Sequence, residues 1–196
     1  MVNHPNRKKE AEVSHAEQNA AGWYGSIVEL VAALGVDYGR LEELTDELTE
    51  VRDGEGGQNT GTLESWAAEA AGAEAHLFQE AAAEYLELTA AATIEGEVQT
   101  DAEAVRERIQ EGPLSVEVRS GWYLPGGDST PEEFNILLST GGPALRLVGG
   151  LDEHGTPTRA YLQYQDWGTP WTDYYAGEGS DAVLLAYAQQ FYFGEG

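Results

Sequence analysis

Glu12 and His15 form a Glu-x-x-His pair on an expected helix, the spacing with which a helical bundle offers a carboxylate and an imidazole to a metal. A carboxylate-bridged metal pair needs two such motifs from different helices, and in a chain with 35 acids one pair arises by chance. His76 falls in an Ala-rich helix and His154 in a turn, neither with a second histidine at ligand spacing. The chain has no cysteine, which excludes disulfides and thiolate ligands. No Gly-x-Ser-x-Gly elbow occurs, and "TGGPALRLVGG" (140–150) lacks the lysine and the following helix that a phosphate loop requires. Its glycines are expected to make a hairpin turn. These residues lead us to expect no catalysis, no resident metal and no cofactor.

Charge is the stronger chemical signal. The chain carries 35 Asp and Glu against 10 Lys and Arg, a net −25, and its only lysines are Lys8 and Lys9. Between Asp37 and Glu111, 20 acids stand against four arginines, which places 16 of the 25 net negative charges there. Glu42, Glu43, Asp46, Glu47 and Glu50 are spaced to share one helix face, and Glu80, Glu84 and Glu87 form a second line. Opposite charges four residues apart stabilise a helix by about 0.2–0.5 kcal/mol and like charges cost as much, so this sequence accepts repulsion that an ordinary soluble helix avoids. Such a surface repels nucleic acid and anionic membrane and attracts a basic partner. These eight acids are the candidate partner-binding residues, and the partner they suggest is the basic groove of a nucleic-acid-binding protein. An acidic surface with few lysines also suits a protein adapted to high salt, which has no such partner. The concentration of charge in 37–111 favours the functional reading, because salt adaptation would coat the whole surface.

The elements that must position these residues divide near "EGPLS" (111–115), giving an acidic helical region over 1–111 and an antiparallel sheet with a C-terminal helix over 112–196. Helices are expected over Ala11–Leu34, with Ile27, Leu30, Val31 and Leu34 on one face, and over Tyr38–Val51, with Leu41, Leu44, Leu48 and Val51 inward. A third runs over Leu63–Thr93 with the stripe Trp66, Ala70, Ala73, Leu77, Ala81, Tyr85 and Leu88. A fourth starts at Thr100, with Glu103 completing a capping box, and ends before Gly112. "LSVEVRS" reads as a half-buried strand with Leu114, Val116 and Val118 inward; "EFNILLST", "ALRLVGG" and "TRAYLQYQ" complete a meander of about four strands. The segment Asp181–Phe193 is apolar nearly all round, starts after Ser180 as N-cap, and is expected to pack on the sheet. The fold class is therefore α+β.

Within "YQDWGTPWTDYY" (164–175), Gly168 and Pro170 suit a tight connection between strands, with Trp167 and Trp171 packed on the core or on each other; the alternative is an exposed aromatic hot spot. The start of the chain has a basic cluster, "NRKK", without the apolar run of a secretory signal, and no stretch has the length of apolar residues that spans a bilayer. A soluble, intracellular protein is expected.

"LSVEVRSGW", "ILLSTGGPALRLVG", "LQYQDWGTPWTDYY" and "AYAQQFYFGE" together, over Leu114–Glu195, resemble a group of small acidic proteins of phages and other mobile elements that look like anti-CRISPR inhibitors of type I surveillance complexes. The resemblance implies a cytoplasmic protein of the host cell that binds a Cascade-type defence complex and blocks its recruitment of target DNA. It carries over no binding residue; the eight acids above are read from their charge and spacing alone.

Overall fold

A computed structural model describes residues 14–54, 61–73, 77–127 and 129–194 of the chain. The fold is mixed α+β, with helices in the N-terminal half and a five-stranded antiparallel sheet followed by a helix in the C-terminal half. Contacts group the chain into two compact units. One is Ser26–Gly112; the other comprises Pro113–Gly196 together with the residues up to Gly25. The division at Gly112/Pro113 lies beside the change of composition, while residues 14–25 group with the sheet.

Helix α1 (His15–Leu34) begins where Ser14 Oγ accepts the Glu17 N–H at 3.1 Å, and it buries Ala16, Ala20, Ile27 and Ala33. Leu30, Val31 and Leu34 of the expected face are half-buried. In the helical unit, α2 (Tyr38–Gly54) turns Leu41, Leu44 and Leu48 into a core shared with Trp66, Ala67 and Ala70 of α3 (Leu63–Gly72) and Ala82, Tyr85 and Ala92 of α4 (Gln79–Ala92). The alanines on α3 and α4 let these helices approach closely, so that the side chains of α2 and Trp66 fill the remaining space.

The expected helix over Leu63–Thr93 is two helices. Helix α3 ends at Gly72, a poor helix former, where the Ala73 N–H turns back to the Ala70 carbonyl at 3.3 Å and Ala73 adopts an extended backbone. Gln79 Nε2 then caps the freed Ala71 carbonyl at 3.2 Å. Leu77, placed in the stripe by periodicity, lies between the helices and is 94% exposed. Splitting the helix lets α3 and α4 pack on one another, which a continuous helix cannot do. Helix α5 (Ala102–Glu111) is capped by Asp101, whose Oδ1 accepts the Ala104 N–H at 2.8 Å, and not by Thr100. It buries Val105 and Ile109. Before it lies a hairpin absent from the sequence reading, β1 (Thr93–Ile94) and β2 (Glu97–Val98). Its two turn residues, Glu95 (φ 51°) and Gly96 (φ 84°), are both left-handed, the geometry that matches the twist of a two-residue hairpin. Arg108 of α5 ion-pairs with Glu95 and, at 3.8 Å, with Glu97, tying this hairpin down.

In the sheet unit the order is β3 (Ser115–Ser120), β4 (Pro131–Ser139), β5 (Ala144–Leu151), β6 (Pro157–Gln165) and β7 (Thr172–Asp173), every pair antiparallel. The short fifth strand adds to the meander; it pairs Asp173 with Gln163 and Thr172 with Tyr164. Phe134, Ile136 and Leu138 of β4 share the buried face with Leu145, Leu147, Ala160 and Leu162. Against β6 packs α6 (Ser180–Ala188), which buries Leu184, Tyr187 and Ala188. It is shorter than expected: Phe191 and Phe193 lie beyond it, and Phe193 stacks on Phe134 with centroids 4.8 Å apart. Ser180 is its first residue and donates to the Gly177 carbonyl at 2.8 Å, while Gly179, left-handed at φ 85°, holds the cap position.

Strand β3 is not half-buried. Val116 and Val118 point to the same face as Ile136 and Phe134, yet they are 42% and 47% exposed, and Leu114 is more exposed still. As an edge strand β3 has a neighbour on one side only. The glycines of "TGGP" do form the β4–β5 connection, with Gly141 and Gly142 both at positive φ.

Candidate partner-binding surface

Burial of Leu41, Leu44 and Leu48 fixes the rotation of α2, and the acids follow from it. Glu42, Glu43, Asp46, Glu47 and Glu50 are all exposed on the opposite face. From Glu42 to Glu50 the helix rises about 12 Å, so five carboxylates average one per about 3 Å of axis, in steps that alternate between about 1.5 and about 4.5 Å. A DNA strand presents a phosphate about every 3.4 Å.

The second line differs from expectation. Glu80, Glu84 and Glu87 all lie on α4, but Glu84 is half-buried and occupied. Arg40 Nε donates to its Oε1 at 3.0 Å and Arg40 Nη2 to its Oε2 at 2.8 Å, a bidentate clamp between α2 and α4. The same guanidinium reaches Glu43 Oε2 at 3.4 Å. Arg40, chiefly through its hydrogen bond, holds the Glu84 carboxyl below its usual range. Two of the eight candidates are thus partly neutralised from within. Glu42, Asp46, Glu47, Glu50, Glu80 and Glu87 have no ion-pair partner among the described residues.

The other arginines of this unit are likewise spent locally. Arg52 pairs with Asp53 at 2.9 Å, Arg106 with Glu103 at 3.0 Å, and Arg108 with the β1–β2 hairpin. No arginine of the helical unit faces outward without a carboxylate.

Two further acids join the α2 face that charge counting along single helices did not find. Glu42 and Asp46 line a cavity of about 580 Å³ together with Glu64 and Asp101, and Tyr38 and Tyr85 form part of its wall. Glu64 is held below the usual carboxylate range by its own backbone N–H and by Thr62; Asp101 is held down by the Ala104 and Glu103 N–H groups and by Thr100. Burial, and then the charge of Asp101, raises Tyr38. Both acids sit at helix starts, the one signal that could have singled them out.

Among the described residues no cluster of three or more His, Asp or Glu is arranged to hold a metal. The Glu12 of the Glu-x-x-His pair, His76 and the basic "NRKK" segment lie outside the described residues. His154 is exposed beside Glu153 in the β5–β6 turn. No helix among the described residues is long and apolar enough to cross a membrane.

The aromatic stretch splits between the two expected roles. Asp166 and Thr169 close a turn around Gly168 (φ 73°), with the Thr169 N–H on the Asp166 carbonyl at 3.1 Å, so the segment is a connection between β6 and β7. Trp167 is nonetheless 79% exposed and does not join the core; its indole covers Gly142, where a Cβ would not fit. Trp171 packs against neither Trp167 nor the core: the Arg146 guanidinium lies 4.2 Å over its ring. Trp122, Tyr123 and Leu124 are also exposed, in a loop that no periodicity marks in the sequence. Comparison with family models, curated proteins and solved structures finds no match to the chain.

Proposed function

We propose that the chain is a non-catalytic, acidic inhibitor that occupies the basic DNA-binding surface of a Cascade-type defence complex in the host cytoplasm, competing with target DNA. The observation that carries this reading is the α2 face: five exposed carboxylates whose mean density along the axis is close to that of DNA phosphates, on a helix whose orientation is fixed by three buried leucines. The local use of every arginine in the helical unit supports it, because each is paired with a carboxylate of the same unit. Association driven by such a surface is fast and falls steeply with salt.

The test is direct binding of the purified protein to type I surveillance complexes over a salt series. Reversal of Glu42, Asp46, Glu47 and Glu50 to Lys should weaken binding at least tenfold and flatten the salt slope, with the circular-dichroism spectrum unchanged. Unchanged binding by that variant would remove α2 from the interface. A protein that binds no such complex and loses its structure in dilute buffer would favour adaptation to high salt.

A further inference from the structure

Strand β3 is an open edge. It pairs with β4 alone among the described residues, whereas the far edge of the sheet is the two-residue β7, too short to template another strand. β3 runs for six residues, Ser115–Ser120, and Val116, Glu117, Val118 and Arg119 are all exposed. The register shift between Arg119↔Glu133 and Ser120↔Pro131 places the extra residue, Glu132, on β4, so β3 itself is regular. It carries neither the proline, the bulge nor the inward-pointing charge that blunts a sheet edge.

Its two faces differ in chemistry. Val116 shares a row with Ile136, Leu147 and Leu162, and Val118 with Phe134, so both valines belong to the face that is buried in β4, β5 and β6. The cover stops short of them: α6 packs on β6 and Phe193 on Phe134, while Val116 and Val118 stay 42% and 47% exposed. Leu114 and Trp122 flank this strip and are more exposed still. Glu117 and Arg119 lie on the other face, along a cavity of about 440 Å³ that Arg146 and Arg159 also line. Arg146 is held within the sheet, its Nε donating to Gln163 Oε1 at 2.9 Å; Arg119 pairs with Glu133 and keeps a side chain 78% exposed at the edge. Asn135 Nδ2 donates to Glu117 Oε2 at 3.0 Å and holds that carboxylate beside it.

This pattern is complementary to itself. When two copies of β3 lie antiparallel about a two-fold axis at Val118, Glu117 of each copy stands opposite Arg119 of the other, Val118 opposite Val118, Val116 opposite Ser120, and Leu114 opposite Trp122. The valines of both copies then share one face. An axis moved by one residue, to Glu117 or to Arg119, sets that charge against its own copy, which destabilises a strand pair. Charge therefore selects a single register.

We propose that the chain forms a symmetric dimer through β3, joining two sheets edge to edge about Val118, with two Glu117–Arg119 contacts on one face and the valines on the other. The guanidinium of Arg119 has donors enough to serve Glu133 of its own copy and Glu117 of the second. Copies of net charge −25 repel one another, so the dimer forms at physiological ionic strength or above, where repulsion beyond short range is screened. Only residues of the sheet unit take part, so the inference does not depend on the role assigned to α2.

The test is sedimentation of the full chain at physiological ionic strength over a concentration series. The natural sequence should run at twice 21.2 kDa when concentrated and dissociate on dilution. Glu117→Arg and Arg119→Glu, at exposed positions, each set like charges opposite one another and should each raise the dissociation constant by about tenfold or more, with the circular-dichroism spectrum unchanged. An equimolar mixture of these two variants restores opposite charges at both positions and should form the heterodimer. A chain that stays monomeric at millimolar concentration would overturn the proposal and leave the edge to a strand of another protein. A dimer that neither single variant weakens, or a mixture no tighter than either variant alone, would overturn it as well.

Discussion

The two units handle the same shortage of cations in opposite ways. In the helical unit every arginine is tied to a nearby carboxylate, and the surplus acids of α2 are left on the surface. In the sheet unit two of the three arginines from Pro113 onward are without a carboxylate partner among the described residues and lie on one polar face. Local neutralisation of cations leaves an unbroken negative face, suited to a basic macromolecule; a cation held by an amide and an indole stays available to an anion. Net charge alone hides this difference, since both units are acidic.

The largest effect should come from the core that orients the acids. Leu48→Ala, at a fully buried position, should destabilise the helical unit by about 2–5 kcal/mol in chemical denaturation while leaving the arginine signals of the sheet unit in place. If both units lose stability together, they fold as one and the contrast belongs to surfaces only.

Alkali should act next, and on the sheet unit. Burial pushes the Tyr187 hydroxyl up from 10.0 to about 12. The folded state therefore keeps this proton where the unfolded chain releases it, so stability is full below about pH 10 and falls as pH rises from there toward 12. Tyr187→Phe should remove that part of the alkaline loss, read from unfolding curves between pH 9 and 12. Acid gives the opposite sign: Asp101 caps α5 and Asp152 accepts the His154 and Thr156 N–H groups at 2.9 Å, and both carboxyls are held below their usual value by these bonds. Their contribution is present above the unfolded carboxylate pKa of about 4 and disappears as pH falls through the lowered folded values. Asp101→Asn should flatten the acid limb of the helical unit and leave that of the sheet unit unchanged.

The smallest effect should come from the clamp. Arg40→Gln breaks a half-buried, solvent-screened pair between α2 and α4, so thermal stability should fall less than in Leu48→Ala, while Glu84 becomes available and partner binding strengthens or holds. Weakened binding would mean that the clamp, and not only the charge, shapes the surface.

Long apolar periodicity was the most legible part of the sequence. Leu41, Leu44 and Leu48 announce α2 and hence the exposure of its acids, and the alternation in β4, β5 and β6 announces their buried face. What failed was decided by neighbours far along the chain. Val116 and Val118 alternate like Phe134 and Ile136, but burial depends on what covers a strand, and alternation does not encode that. The helical stripe runs on through Gly72 and Leu77 because a chain that turns back on itself can keep its period on either side of the turn. In the sequence Glu84 looks like one more surface acid, since its partner Arg40 lies 44 residues away. The Arg146 and Arg159 face is illegible for the same reason: strand register, which places both along one cavity, is not written locally.

The decisive measurement is displacement of target duplex from purified type I surveillance complexes, titrated with this protein at fixed salt and read by mobility shift. If the α2 face occupies a DNA-binding groove, one complex should lose its DNA near an equimolar ratio, and the variant with Glu42, Asp46, Glu47 and Glu50 reversed to Lys should fail to displace it. Complexes that all keep their DNA in a buffer where the protein is folded, or a reversed variant that displaces as well as the natural sequence, would contradict the reading of this surface as an imitation of DNA.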